Sequence, residues 1–260
     1  MKLTKPIFWK SKNIISILLL PLTIITLLIN ISKRVYSKKN FSIKTICVGN
    51  IFLGGTGKTS LAMEIQKLLG KKFKTVFIKK DYQNQMDEIN LLKNRGDVIS
   101  KNNREDALSL ASKKYDLAIL DDGLQQKNIN YGLKIVCFNT KEGLGNEFLL
   151  PAGPLRESID RLKDYDIVFL NGESRNKNLL LRLKSINKNL KFFEGKYKPE
   201  NLGKFNLKKK YLMFCGIGNP HEFENTLKKF KFKIKEKFIF PDHYSISDEA
   251  INNIKDIANK

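Results

Sequence analysis

A glycine-rich segment lying between an apolar run and an amphipathic stretch constrains this chain more than any other feature. Residues 49–59 read Gly-Asn-Ile-Phe-Leu-Gly-Gly-Thr-Gly-Lys-Thr, preceded by a mostly apolar run at 43–48 and followed by Ser-Leu-Ala-Met-Glu-Ile-Gln-Lys-Leu-Leu. The order is strand, loop, helix. Without Cβ atoms at Gly54, Gly55 and Gly57, backbone N–H groups can close around a polyphosphate, Lys58 can reach its outer phosphates, and the Thr59 hydroxyl can ligate Mg²⁺. The expected nucleotide-binding set is Gly54, Gly55, Thr56, Gly57, Lys58, Thr59 and Ser60. One position departs from the usual G-x-x-x-x-G-K-[ST] spacing, since Phe52 stands where a glycine is expected.

Residues 14–31 form an uncharged, strongly apolar run long enough for a helix to cross a hydrocarbon core. No Ala-x-Ala-like site follows it, so it reads as a retained N-terminal membrane helix, spanning or partly inserted, rather than a cleaved signal. Pro21 is expected to kink it, and Trp9 and Tyr36 suit the two interfaces. Basic residues flank both ends, so orientation has to come from chemistry: ATP and Mg²⁺ place the body on the cytoplasmic side.

Beyond the loop, apolar strand-like runs at 75–78, 117–120, 133–138 and 167–170 alternate with helical patterns at 87–93 and 104–114. That rhythm predicts an α/β fold with a mostly parallel sheet, helices on both faces and a ligand site at the carboxyl ends of the strands. A polar stretch at 173–189 interrupts it before a second strand and helix pattern begins at Lys210. The expected organisation is a membrane segment with basic flanks (1–38), a core domain (39–172) and a smaller second α/β domain (173–260).

The formal net charge of +22 suits an anionic partner, but only seven of the 48 basic residues are Arg, and no nucleic-acid-reading motif is present. The charge therefore points to an anionic membrane or a phosphorylated substrate, and nucleic acid is not expected. Cys47, Cys137 and Cys215 are far apart in apolar stretches, which predicts buried reduced thiols. Two histidines, His221 and His243, are too few for a His-rich metal site.

An apolar strand delivers Asp121 and Asp122 at its end, where a P-loop NTPase-like fold places the acid that holds Mg²⁺. Four segments in order then carry a resemblance: 49–59, Asp-Asp-Gly-Leu-Gln at 121–125, Leu-Pro-Ala-Gly-Pro-Leu-Arg-Glu at 150–157, and Phe-Pro-Asp-His at 240–243. Together they resemble the tetraacyldisaccharide 4'-kinase family, with Cys-Gly-Ile-Gly-Asn-Pro at 215–220 similar to that family's second-domain glycine loop. The resemblance implies transfer of the ATP γ-phosphate to the 4'-hydroxyl of an anionic lipid, tetraacyldisaccharide 1-phosphate, at the bacterial inner membrane. It also implies that Asp87, in Met-Asp-Glu, and His243 form the proton-accepting pair. Arg156 and Glu157 match active-site positions, and Arg104 and Tyr82 match contacts to substrate phosphate or sugar.

The chain departs from the family pattern at Lys-Asp-Tyr-Gln (80–83), where Arg-Gly-Tyr-Gly and a longer insert are usual, and at Gln126, where histidine is common. The family continues past Phe-Pro-Asp-His to a Thr-x-Lys-Asp segment, so a second domain shortened at its C-terminus is expected. No guanine-reading Asn-Lys-x-Asp is present, which argues against a GTPase. A membrane-tethered nucleotide-binding protein without turnover is the alternative.

Overall fold

The computed structural model describes residues 5–32, 37–81, 86–172, 176–241, 244 and 246–259. Tyr82 and His243 lie outside the described residues. Contacts divide the chain into two compact units, Leu3–Lys196 and a unit that includes Tyr197–Lys260.

The larger unit begins with α1 (Ile14–Leu18), a 3₁₀ turn (Leu20–Leu22) and α2 (Thr23–Ser32). The expected membrane helix is interrupted at the position where a kink is expected. Pro21 lies within the 3₁₀ turn, where it can supply no N–H to continue the α-helical ladder. Ten residues of α2 rise about 15 Å, half of a ~30 Å hydrocarbon core. Among the described residues, no helix is long and apolar enough to cross a membrane. Instead the two helices expose most of their aliphatic side chains, including Ile14, Leu18, Ile25 and Leu28, while Asn13, Ser16, Thr23, Thr26 and Asn30 are more covered.

Seven strands follow: β1 (Lys44–Gly49), β2 (Thr75–Lys80), β3 (Val98–Lys101), β4 (Leu117–Asp121), β5 (Leu133–Asn139), β6 (Ile167–Asn171) and β7 (Lys191–Gly195). They form one sheet in the order β3-β2-β4-β1-β5-β6-β7, and every neighbouring pair is parallel. The connecting helices are α3 (Lys58–Leu69), α4 (Met86–Lys93), α5 (Arg104–Ala111) and α6 (Lys177–Ile186). Alternate residues of β4 feed opposite faces. Leu117 and Ile119 join Ala62 of α3 and Leu92 of α4, whereas Ala118 and Leu120 join Ala107 and Leu108 of α5 and Leu183 of α6. Covering a sheet on both faces is what allows its central strands to be apolar throughout.

The seam between units falls after Lys196, later than the expected 172/173 boundary. The polar composition of 173–189 hides a helical face, because α6 buries Leu179 and Leu183 and delivers the chain into β7. In the smaller unit β8 (Lys210–Cys215) pairs in parallel with β9 (Lys233–Ile239), accompanied by α7 (Pro220–Lys229) and α8 (Asp248–Asn259). Asn219, in the glycine-loop segment, caps α7 by accepting from Glu222 N at 3.2 Å.

All three cysteines are buried and unbridged, as the sequence leads one to expect. Burial pushes the Cys47 thiol up to about 12 and raises that of Cys137 further. Both thiols should therefore resist a thiol reagent at neutral pH in the native state and react on unfolding, checked by the time course of modification with and without denaturant. Leu183→Ala should cost about 2–5 kcal/mol in a urea unfolding experiment if α6 is part of the main core.

Candidate functional site

The centre of the sheet fixes the site. Parallel pairing puts Val48 of β1 beside Asp121 of β4, so the glycine-rich loop and the Asp-Asp pair leave the same edge from neighbouring strands. The loop turns with Gly54 at φ 134° and Gly57 at φ 83°, conformations in which a side chain is strained. Gly57 then caps α3, so Lys58 and Thr59 sit in the first turn with the helix N-terminus facing the loop.

Three hydrogen bonds hold this loop, one within it and two from outside. Asn50 Nδ2 donates to Thr56 Oγ1 at 3.0 Å, Asn171 Nδ2 at the end of β6 donates to the Thr56 carbonyl at 3.4 Å, and Gln125 Nε2 donates to the Asn50 carbonyl at 2.6 Å. Thr56 is thus turned inward as a brace, while Gly55 and Ser60 remain exposed. Phe52, the departure from the usual spacing, is buried and bridges Leu155 in antiparallel fashion. Flanking it, Leu53 N donates to the Pro154 carbonyl and Arg156 N to the Ile51 carbonyl, both at 2.8 Å. A side chain at position 52 therefore packs the approach to the loop against residues 154–156.

Asp121 is fully buried. Its Oδ2 accepts from Thr59 Oγ1 at 3.0 Å and from Lys79 Nζ at 2.7 Å, whereas Oδ1 has no hydrogen-bond partner. A buried carboxylate oxygen left bare is costly unless a cation or donor approaches it. Asp121 and Thr59 are hard oxygen donors of the kind that hold Mg²⁺ with few protein ligands and the oxygens of a bound phosphate.

Lys79, at the end of β2, was not singled out by the sequence reading. It is buried and pairs with both Asp121 and Glu88 of α4. Burial disfavours its ammonium form, but the two carboxylates outweigh burial and raise its pKa. The available signal was a lysine directly after the core residues Phe77 and Ile78. Asp87, beside Glu88, is exposed in the first turn of α4.

Asp122 has φ 57° and lies 3.9 Å from Lys58 Nζ and 3.1 Å from Arg156 Nη1. Burial would raise its pKa, but Lys58, Arg156 and Lys79 together hold it below the ordinary carboxylate range. Arg156 Nη1 also reaches Asn50 Oδ1 at 3.0 Å, so it bridges the phosphate loop and the acidic pair. Arg104, buried at the start of α5, donates to the Asp122 carbonyl at 2.8 Å and to Gln126 Oε1 at 3.2 Å. It shapes the turn after β4 from below.

Glu157 behaves differently from its neighbour. It is buried among Lys127 Nζ at 2.9 Å, Tyr165 Oη at 2.9 Å and Arg161, a different set of partners from the Asn50 and Asp122 that Arg156 reaches. The structure thus gathers Lys58, Thr59, Asp121, Asp122 and Arg156 at one edge and assigns Glu157 to a structural ion network.

This geometry coincides with clear sequence kinship. Residues 15–260 match the family model described as Tetraacyldisaccharide-1-P 4'-kinase. The chain belongs to the tetraacyldisaccharide 4'-kinase family. A curated tetraacyldisaccharide 4'-kinase of Pelagibacter ubique is 47% identical over 264 residues, covering 98% of this chain and 84% of the relative. That of Rickettsia akari is 33% identical over 277 residues, covering 99% and 84%. Among solved structures, LpxK from Aquifex aeolicus in complex with ATP superposes with a TM-score of 0.70 at 25% identity, covering 90% of this chain and 84% of that one.

Within this family frame, Glu157→Gln should lower stability by about 3–5 kcal/mol, because Lys127 would remain buried without a compensating charge. Chemical denaturation of the variant against the parent chain checks this.

Proposed function

We propose that this chain is an ATP-dependent kinase that transfers the γ-phosphate to the 4'-hydroxyl of tetraacyldisaccharide 1-phosphate in lipid A biosynthesis. The observation that carries the reading is the bare Oδ1 of buried Asp121 beside Thr59 and the Lys58 loop, in a chain of this family.

In this reading the loop N–H groups and Lys58 hold the phosphates, and Arg156 adds a positive charge next to Asp122. Thr59 and Asp121 would hold Mg²⁺, which would supply positive charge against the phosphates when bound. Lys79 fixes the Asp121 carboxylate. Asp87 and His243 accept the proton of the attacking hydroxyl, an assignment that rests on the family resemblance. Arg104 shapes the Asp122 turn, and Tyr82 is kept as a substrate contact on the same resemblance.

We also place the protein at the bacterial inner membrane with its nucleotide site on the cytoplasmic side. Support comes from the outward aliphatic side chains of α1 and α2, which match a segment lying in the lipid interface, and from the compartment of ATP. The net charge of +22 favours an anionic leaflet and an anionic lipid acceptor.

Labelled γ-phosphate transfer from ATP to tetraacyldisaccharide 1-phosphate in detergent micelles tests the reading. The parent chain should label the lipid, and Lys58→Ala and Asp87→Ala should each lower turnover by at least about 10²-fold, with ATP binding retained in Asp87→Ala. A folded, ATP-binding parent chain that labels no lipid would sink the kinase reading in favour of a nucleotide-binding tether.

A further inference from the structure

The polar residues inside the apolar N-terminal segment are not scattered. Ser16, Thr23, Thr26 and Asn30, together with the capping Asn13 just before the run, recur at three- and four-residue steps with one longer interval, and all are turned away from solvent relative to their aliphatic neighbours. Two of them reach out of the segment. Thr26 Oγ1 donates to the Leu150 carbonyl at 2.7 Å, and Asn30 Nδ2 donates to the Arg156 carbonyl at 3.0 Å. One turn apart on α2, they grip the two ends of residues 150–156. Trp9 Nε1 adds a bond to the Pro151 carbonyl between them at 3.0 Å.

The gripped segment touches the phosphate loop on its other side. Its Pro154 carbonyl accepts from Leu53 N, Arg156 N donates to the Ile51 carbonyl, and Arg156 Nη1 reaches Asn50 and Asp122. Arg156 is therefore held from two directions: its carbonyl by α2, its N–H and guanidinium by the nucleotide site. We propose that Thr26 and Asn30 are positioning residues that set the 150–156 loop, and through it Arg156, against the phosphate loop. The N-terminal helices then form part of the scaffold of the site in addition to meeting lipid.

A pure anchor and a positioning scaffold make opposite predictions for substitutions that add hydrophobicity. Thr26→Val and Asn30→Leu keep the heavy-atom branching of the side chain, remove the donors and make the segment more apolar. An anchor would keep its function. The proposal rests on the kinase reading for its activity arm, so a second readout is independent of turnover. On phosphatidylethanolamine–phosphatidylglycerol vesicles, both variants should co-sediment as well as the parent chain. Amide hydrogen exchange across residues 149–157 should quicken, and turnover should fall about tenfold or more, as small misplacements of a site residue do. Thr26→Ser, which keeps the hydroxyl, should restore parental exchange and turnover. Unchanged exchange and turnover in Thr26→Val and Asn30→Leu would overturn the proposal, as would a loss of turnover that tracks lost vesicle binding with exchange unchanged. Quickened loop exchange in a parent background that labels no lipid would support the positioning role while removing the kinase reading.

Discussion

The organisation of the site depends on placing one carboxylate where water cannot reach it. Asp121 ends β4 at the centre of the sheet, and parallel pairing with β1 brings the start of the glycine-rich loop beside it. Burial makes the carboxylate expensive, so its surroundings have to compensate: Thr59 and Lys79 satisfy one oxygen, and the other is buried without a hydrogen-bond partner. Lys79 carries this demand onward to Glu88, which ties the start of α4 to the middle of the sheet. Phosphate loop, acidic pair and the helix bearing Asp87 are thus linked through a single buried charge.

A second set of contacts works through backbone. Residues 150–156 lie between α2 and the approach to the phosphate loop and exchange main-chain hydrogen bonds with the latter. Within that stretch and just after it, neighbours divide their work. Arg156 turns toward Asp122, and Glu157 turns into a buried network with Lys127 and Tyr165. Adjacent residues of one motif serve unrelated physical ends here because the chain bends at both of them and each side chain meets its own set of partners.

Much of this was legible in the sequence because it is local. The strand, glycine loop and helix of residues 43–69, and the apolar strand ending in Asp121, announce themselves through periodicity and backbone requirements. Pairing partners are not local. β3 and β7 are too short to carry an apolar pattern of their own and become strands through β2 and β6, while α6 was hidden by polar residues on its outer face. In the N-terminal run the break at Pro21 is legible, whereas the length of each helical piece and the side on which the polar residues fall are not, because mean hydropathy averages over both. Lys79 was passed over because its meaning lies wholly in Asp121 and Glu88, distant in sequence.

The N-terminal helices also set the terms on which this segment can vary. Their outward side chains are asked only to be greasy, so exchange among Ile, Leu, Val and Met there is close to neutral for folding. Along the same turns, a hydroxyl at position 26 and an amide at position 30 are defined by direction and reach, which no aliphatic side chain reproduces. A stretch that looks uniform to a hydropathy average is therefore divided, residue by residue, into positions free to drift and positions that are not.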